Sequence, residues 1–207
     1  NLENQTYPAD AYEVIVIDNG SKIPPDVADF PHVVLLHETR PGSYAARNCG
    51  IKASNGQFLA FIDSDCIPAE DWLAYGIKRL EREGEKSIIG GSVNLFYKDP
   101  QNPTPVELYE KKYEFQMQYY IEVLKFCPTC NLFTHKTSFQ ELGMFNAELK
   151  SGGDTLWTHQ AYQKGYQLVY EPKAMIKHPT RRTFQELKRR NQRLVGGQLD
   201  LRNVYLQ

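Results

Sequence analysis

The chain has 207 residues, 24 Lys and Arg against 25 Asp and Glu, and a formal charge of −1. That length suits one domain with a real core, and the balanced charge excludes a protein held on nucleic acid by a general positive field. Four cysteines make no disulfide framework, and no apolar run reaches the ~18–20 residues of a bilayer span, so the composition fits a soluble or peripheral protein of a reducing cytoplasm.

Residues 13–18 form a β-branched apolar run that stops at Asn19, Gly20 and Ser21, which predicts a buried strand ending in a turn. Residues 32–37 repeat the pattern. Residues 42–53 favour a helix with a glycine near its start, and 57–62 form a third apolar strand. Strands alternating with helices predict a parallel α/β sheet. Pro68 and the acids after it predict a helix from about there to Glu83, ended by Gly84. A strand with a glycine kink follows at 87–96, then a proline-rich loop at 99–105. Residues 106–126 lack Gly and Pro and predict one long helix whose aromatic side packs in the core, with sugar stacking by Trp157 or Tyr109 to Tyr120 as the alternative.

Beyond it, 131–135 reads as a short strand, 136–142 as a short helix, and 154–164 as a helix closed by Gly165. Residues 167–170 and 174–178 are strand-like. A terminal helix is predicted over 183–195, within a segment whose six basic residues, Arg181, Arg182, Lys188, Arg189, Arg190 and Arg193, face a single acid, Glu186. Cys127 and Cys130 have redox or half-zinc-site spacing, but no second pair lies near them and they read as structural thiols.

The chemistry concentrates at Asp63 and Asp65, directly after the apolar strand Phe58-Leu-Ala-Phe-Ile62. The end of a parallel strand is where open α/β sheets place their ligands. Two carboxylates so close need compensation, which a solvated turn or a hard divalent ion such as Mg²⁺ or Mn²⁺ supplies. No dinucleotide fingerprint or P-loop is present.

Taken in order, several blocks resemble glycosyltransferase family 2. They are Glu13-Val-Ile-Val-Ile-Asp18-Asn-Gly-Ser, Arg40-Pro-Gly-Ser-Tyr-Ala-Ala-Arg47-Asn48-Cys-Gly, the Asp63-Ser-Asp65 pair, Asn131-Leu-Phe, Leu142-Gly-Met-Phe-Asn, Ser151-Gly-Gly-Asp154 and His178-Pro-Thr-Arg181. The resemblance covers nearly the whole chain. It implies an α/β GT-A fold, Rossmann-like, with a mostly parallel twisted sheet flanked by helices. It further implies an inverting transferase that moves a sugar from a nucleotide-diphosphate sugar to a hydroxyl of a glycan or lipid-linked acceptor.

The resemblance places Asp18 beside the nucleobase, a position where a turn-capping Asp is the alternative. Gly42, Arg47 and Asn48 would face the donor. Asp65 would be the main ligand of Mn²⁺ or Mg²⁺, Asp63 would touch the ribose or the metal shell, and His178 would complete the metal site. Asp154 would be the general base, or a helix cap, or both. The family's block reads Gly-Glu-Asp, whereas this chain has Gly152-Gly153-Asp154 and so lacks the glutamate.

On this reading 1–207 is a single catalytic domain, with 1–96 for the nucleotide sugar, 97–180 for the acceptor and 181–207 a basic helix. The segment from Arg181 to Arg193 would grip the diphosphate at its start and touch anionic lipid further along, at the inner face of the membrane, with a plain solvated helix face as the alternative. The amino-terminal residues resemble the end of the family's first helix, so its first strand is expected to be missing. A catalytically degenerate sugar-nucleotide-binding domain and a haloacid-dehalogenase-like phosphatase are the rival readings, and cell-envelope glycan assembly is the expected context.

Overall fold

The computed structural model describes residues 2–205, with side-chain surroundings for residues 2–197. After two single helical turns at Leu2–Asn4 and Ala9–Ala11 come β1 (Val14–Asp18), β2 (Val33–His37), α1 (Ser43–Ala53), β3 (Phe58–Ile62), β4 (Ile67–Pro68) and α2 (Trp72–Glu83). There follow β5 (Ser87–Phe96), α3 (Pro105–Tyr113), α4 (Met117–Glu122), β6 (Asn131–His135), α5 (Thr137–Leu142), α6 (Gly153–Gln163), β7 (Gln167–Pro179) and α7 (Phe184–Tyr205).

β1 and β2 pair in parallel, from Val14 opposite Val33 to Asp18 opposite His37. A second sheet has the order β3-β6-β5-β7-β4. There β5 and β7 are parallel, while β6 runs against both β3 and β5, and β4 against β7. The α/β class holds, but the sheet is mixed rather than mostly parallel. The reason is topological: the chain leaves the carboxyl end of β5, passes through α3 and α4, and re-enters the sheet as β6 from that same end. Since β3, β5 and β7 share one direction, the segments after β3 and β7 leave the same edge. Neither β1 away from β2 nor β3 away from β6 has a strand partner among the described residues.

Helix α2 lays Trp72, Leu73, Ile77 and Leu80 on one face of the sheet, against Ile89, Phe133 and Ile176. The other face carries Ile88 and Leu132 under Ile121, Phe139, Phe145 and Trp157. Trp157 stacks on Phe139 with centroids 4.4 Å apart and donates to the Gly143 carbonyl, so it is a core residue. Between the two faces the fully buried Asn131 side chain accepts from Trp72 Nε1 and donates to the Ser92 and Ala174 carbonyls. It thereby pins β5 to β7 where their register shifts between Gly91 and Ser92. β7 consequently runs as one strand through Pro172, where two were expected.

The expected long helix over 106–126 is two helices. Thr104 and Glu107 form a capping box with Pro105 in the first turn of α3. The helix ends at Glu114, which is extended, and Phe115, at φ 53°. A left-handed non-glycine residue costs roughly 1–2 kcal/mol, and the contacts made by these two side chains, described below, offset it. The aromatic side also departs from expectation: Tyr109 and Tyr113 are half exposed, as is Tyr119, while Met117 and Ile121 enter the core.

Candidate active site

Asp18 ends β1 and is buried, its Oδ1 accepting from the Ser21 amide at 2.9 Å and its Oδ2 lying 3.3 Å from His37 Nδ1. The Ser21 hydrogen bonds, seconded by His37, hold its carboxyl below the usual aspartate range. Beside it Asn19 donates to the Glu38 and Arg40 carbonyls and accepts from the Gly42 amide. Gly42, at φ 120°, adopts a backbone closed to other residues and starts α1 there. These bonds fix the β1 turn against the start of α1.

From α1, Arg47 Nη2 reaches Asp63 Oδ1 at 2.7 Å. Asn48 does something else. Its buried amide donates to the Phe145 carbonyl and accepts from the Phe145 amide, at 2.8 and 3.1 Å. Both polar groups of the side chain thus tie α1 to the segment before α6.

His178, near the end of β7, is buried, and its Nδ1 lies 2.7 Å from the Pro179 carbonyl. A carbonyl only accepts, so Nδ1 carries the proton and Nε2 is left for a ligand, the arrangement typical of metal-bound histidine. Nε2 is 4.0 Å from Asp65 Oδ1, and the Phe115 ring packs on the imidazole at 4.7 Å. Asp65, Cys66 and His178 each present a ligand atom within 4.8 Å of the others. Asp65 and His178 offer an oxygen and a nitrogen that would suit a divalent ion such as Mn²⁺ or Mg²⁺. Asp63 lies outside that trio and is occupied by Arg47. Burial, with Asp63 and Asp65 alongside, pushes the Cys66 thiol up to about 12.

Asp154 lies in the first turn of α6, after Gly152 in the left-handed region at φ 79°. Its Oδ1 accepts from Tyr44 Oη and from the Thr155 amide, both at 3.0 Å. Its Oδ2 accepts from the Thr129 amide at 3.2 Å and lies 3.5 Å from the Thr129 hydroxyl. Burial and then Asp154 itself push the Tyr44 phenol up, so it stays protonated and can donate. A Cβ on Gly153 would meet the Tyr44 ring at 2.8 Å. A glutamate at position 153 would therefore collide with the Tyr44 ring as it stands. Cys127 and Cys130 are free and buried. Burial raises the Cys130 thiol, and the charges of Asp63, Cys66, Cys127 and Asp154 add to it.

The carboxyl-terminal arginines are largely engaged. Glu107 and Glu110, both fully buried, face the segment after His178. Glu110 accepts from the Arg181 amide and from Nη1, each at 2.8 Å. Glu107 accepts from Thr180 Oγ1 at 3.1 Å and lies 3.8 Å from Arg182 Nε. Glu114 holds Arg190 through both oxygens, at 2.9 and 2.6 Å. Through Nη1 the Arg181 guanidinium neutralises a buried carboxylate. Lys188, Arg189 and Arg193 have no acidic partner among the described residues, and Phe184 and Val195 on the same helix are exposed. No helix among the described residues is long and apolar enough to cross a membrane.

A cavity of about 810 Å³ opens beside Phe115, lined by Asn94, Gln116, Tyr119, Glu122 and Tyr170 among others. Tyr44, Cys66, Phe115, Glu107 and Glu110 were not foreseen as site residues. Only the capping-box spacing of Thr104 and Glu107 carried a readable signal, and that signal spoke of a helix start.

The family model for glycosyl transferase family 2 matches residues 1–143. Glycosyltransferase AglE of Haloferax volcanii is 36% identical over 207 residues, covering 97% of this chain and 67% of that protein. A pre-mycofactocin glycosyltransferase of Mycobacterium tuberculosis is 27% identical over 180 residues, covering 81% of this chain and 37% of that protein. The chain thus spans between about a third and two thirds of these relatives' length. Among solved structures, Staphylococcus aureus TarS 1–349 in complex with UDP aligns with a TM-score of 0.61 at 19% identity, over 86% of this chain and 54% of that one. GalNAc-T7 with UDP, GalNAc and Mn²⁺ aligns at 0.60 and 16%, over 82% and 38%. At those identities the likeness shows the fold.

Proposed function

The chain belongs to glycosyltransferase family 2, and from that membership we propose that it transfers a sugar, with inversion, from a nucleoside-diphosphate sugar to an acceptor hydroxyl, with Asp154 as general base. The observations that carry this are the pair Asp65 and buried His178, with Nε2 4.0 Å from Oδ1, and a carboxylate, Asp154, whose two oxygens are oriented by Tyr44 and Thr129.

Asp18 meets the nucleobase, and Asp63, braced by Arg47, meets the ribose. Asp65 and His178 would hold Mn²⁺ or Mg²⁺, which when bound neutralises the charge of the departing diphosphate. The solved TarS and GalNAc-T7 structures contain UDP, and the latter Mn²⁺, which supports a nucleotide donor and a divalent ion. Asp154 accepts the proton from the acceptor hydroxyl as that oxygen attacks the anomeric carbon opposite the leaving group. Tyr44 and Thr129 hold its two oxygens, so its free lone pairs keep one direction.

Residues 1–96 serve the nucleotide sugar and 97–180 chiefly the acceptor, for which the cavity beside Phe115 offers amide groups and tyrosine rings suited to a glycan. The exposed Lys188, Arg189 and Arg193 fit a lipid-linked acceptor met at an anionic surface. A catalytically degenerate sugar-nucleotide-binding domain is the rival reading, and turnover unchanged by Asp154→Asn would favour it over the present one.

The test is binding. Nucleoside diphosphates should bind in the presence of Mn²⁺ and lose most affinity with Asp65→Asn or His178→Ala. Metal-independent binding unaffected by either substitution would contradict the assignment.

A further inference from the structure

We infer that the loop after β3 is also a site for a thiophilic divalent cation of the Zn²⁺ class, held jointly by Asp65, Cys66 and His178. The geometry is close to what such an ion needs. Cys66 Sγ lies 3.9 Å from Asp65 Oδ1, which lies 4.0 Å from His178 Nε2, and all three atoms fall within 4.8 Å of one another. Tetrahedral zinc with its usual bond lengths sets ligand atoms about 3.3–3.7 Å apart. Closing the trio takes a contraction of roughly 1 Å: Asp65, with its side chain 59% exposed, can close on both partners, and a turn of the partly exposed Cys66 side chain brings the sulfur toward the fixed, buried imidazole.

A second observation is independent of the spacing. Buried His178 has its Nδ1 proton bonded to the Pro179 carbonyl and its Nε2 turned toward the trio without a hydrogen-bond partner, which is the outer-shell support that ligating histidines carry. Three protein ligands with the fourth position open is the layout of catalytic zinc sites.

Sulfur decides which ion uses all three residues. Mg²⁺ and Mn²⁺ prefer oxygen and leave a thiol idle, whereas Zn²⁺ and Cd²⁺ recruit it as thiolate. Binding forms a metal–sulfur bond and releases the thiol proton to solvent. Among the described residues this is the one His, Cys, Asp and Glu grouping at metal spacing. The inference rests on the reading of Asp65 and His178 as metal ligands, and it adds a consequence: Zn²⁺ bound here competes with the hard ion and blocks the diphosphate position.

The experiment uses the whole chain without donor. Cd²⁺ is titrated while the thiolate-to-cadmium absorption is followed, and Zn²⁺ affinity is measured against a chromophoric chelator. One equivalent should produce the sulfur band. Cys66→Ser should abolish it and weaken Zn²⁺ by more than about tenfold, His178→Ala should weaken Zn²⁺ comparably, and Cys49→Ser should change neither. No band in the wild type, a band that survives Cys66→Ser, or Zn²⁺ affinity indifferent to that change overturns the inference. Mn²⁺ binding, read by electron paramagnetic resonance on the same samples, separates the cases: Mn²⁺ bound without a sulfur band sinks this inference alone, and loss of both sinks the metal reading as well.

Discussion

At Asp154 the arrangement of donors matters more than the residue's presence. A carboxylate with rotational freedom is a poor base, and here the Tyr44 hydroxyl, the Thr155 amide and the Thr129 amide set its plane. A hydrogen bond to a charged group contributes about 1.5–3 kcal/mol, so Tyr44→Phe is expected to lower kcat about 10- to 100-fold while donor KM stays nearly constant. Steady-state kinetics check this, and a change confined to KM would place Tyr44 elsewhere in the cycle. Gly153→Glu should do equal or greater harm, because any Cβ there meets the Tyr44 ring. Asp18, Asp63, Asp65, Asp154 and His178 stand out in the sequence as candidates because each sits in a short block with a fixed neighbourhood. Tyr44 does not: its partner lies 110 residues away, and only the folded chain joins them.

Helix α3 shows the same limit one level up. Its residues favour a helix throughout, and nothing local announces the stop at Glu114 and Phe115. The stop follows from tertiary contacts, Glu114 on Arg190 and the Phe115 ring on His178. The buried face of α3 is acidic, with Glu107 and Glu110 holding the backbone and side chains just after His178. Removing one partner of a buried ion pair leaves an uncompensated charge and costs about 3–5 kcal/mol. Glu110→Ala should therefore lower the melting temperature and weaken Mn²⁺ binding through misplacement of His178.

Acid should act on the same clamp. The Thr104 amide, foremost, holds the Glu107 carboxyl below its usual range. A depressed value means the charged form is favoured in the fold. Its contribution is whole above the ordinary glutamate value of about 4.3 and is lost as pH falls through the lower folded value. Melting temperature should fall below about pH 4 more steeply in the wild type than in Glu107→Gln, and equal slopes would assign the acid loss elsewhere. For α7, co-sedimentation with vesicles containing anionic lipid should exceed that with neutral vesicles and diminish when Lys188, Arg189 and Arg193 are neutralised. Binding indifferent to lipid charge would remove the membrane contact from the account.

Across the molecule the α/β class and most elements could be read from period and punctuation, since β1, β2, β3, β5, β6 and α6 depend on local patterns of apolar residues. The mixed sheet could not, because β6 runs antiparallel for a reason of topology that no local window contains. The core is ordinary and strong: Trp157, stacked on Phe139 and touching Phe145, should cost about 3–5 kcal/mol when truncated to Ala, measurable by denaturant unfolding. That core fixes α6, and with it Asp154, relative to the strand ends that carry Asp65 and His178.

The central claim is that Asp154 performs proton transfer beside a separate donor-binding half. It is tested most directly by measuring, on one preparation, Mn²⁺-dependent sugar transfer and nucleotide binding for Asp154→Asn. The account predicts nucleotide affinity within about twofold of wild type and a fall in turnover of roughly 10²–10⁴. Undiminished turnover in that variant would contradict it.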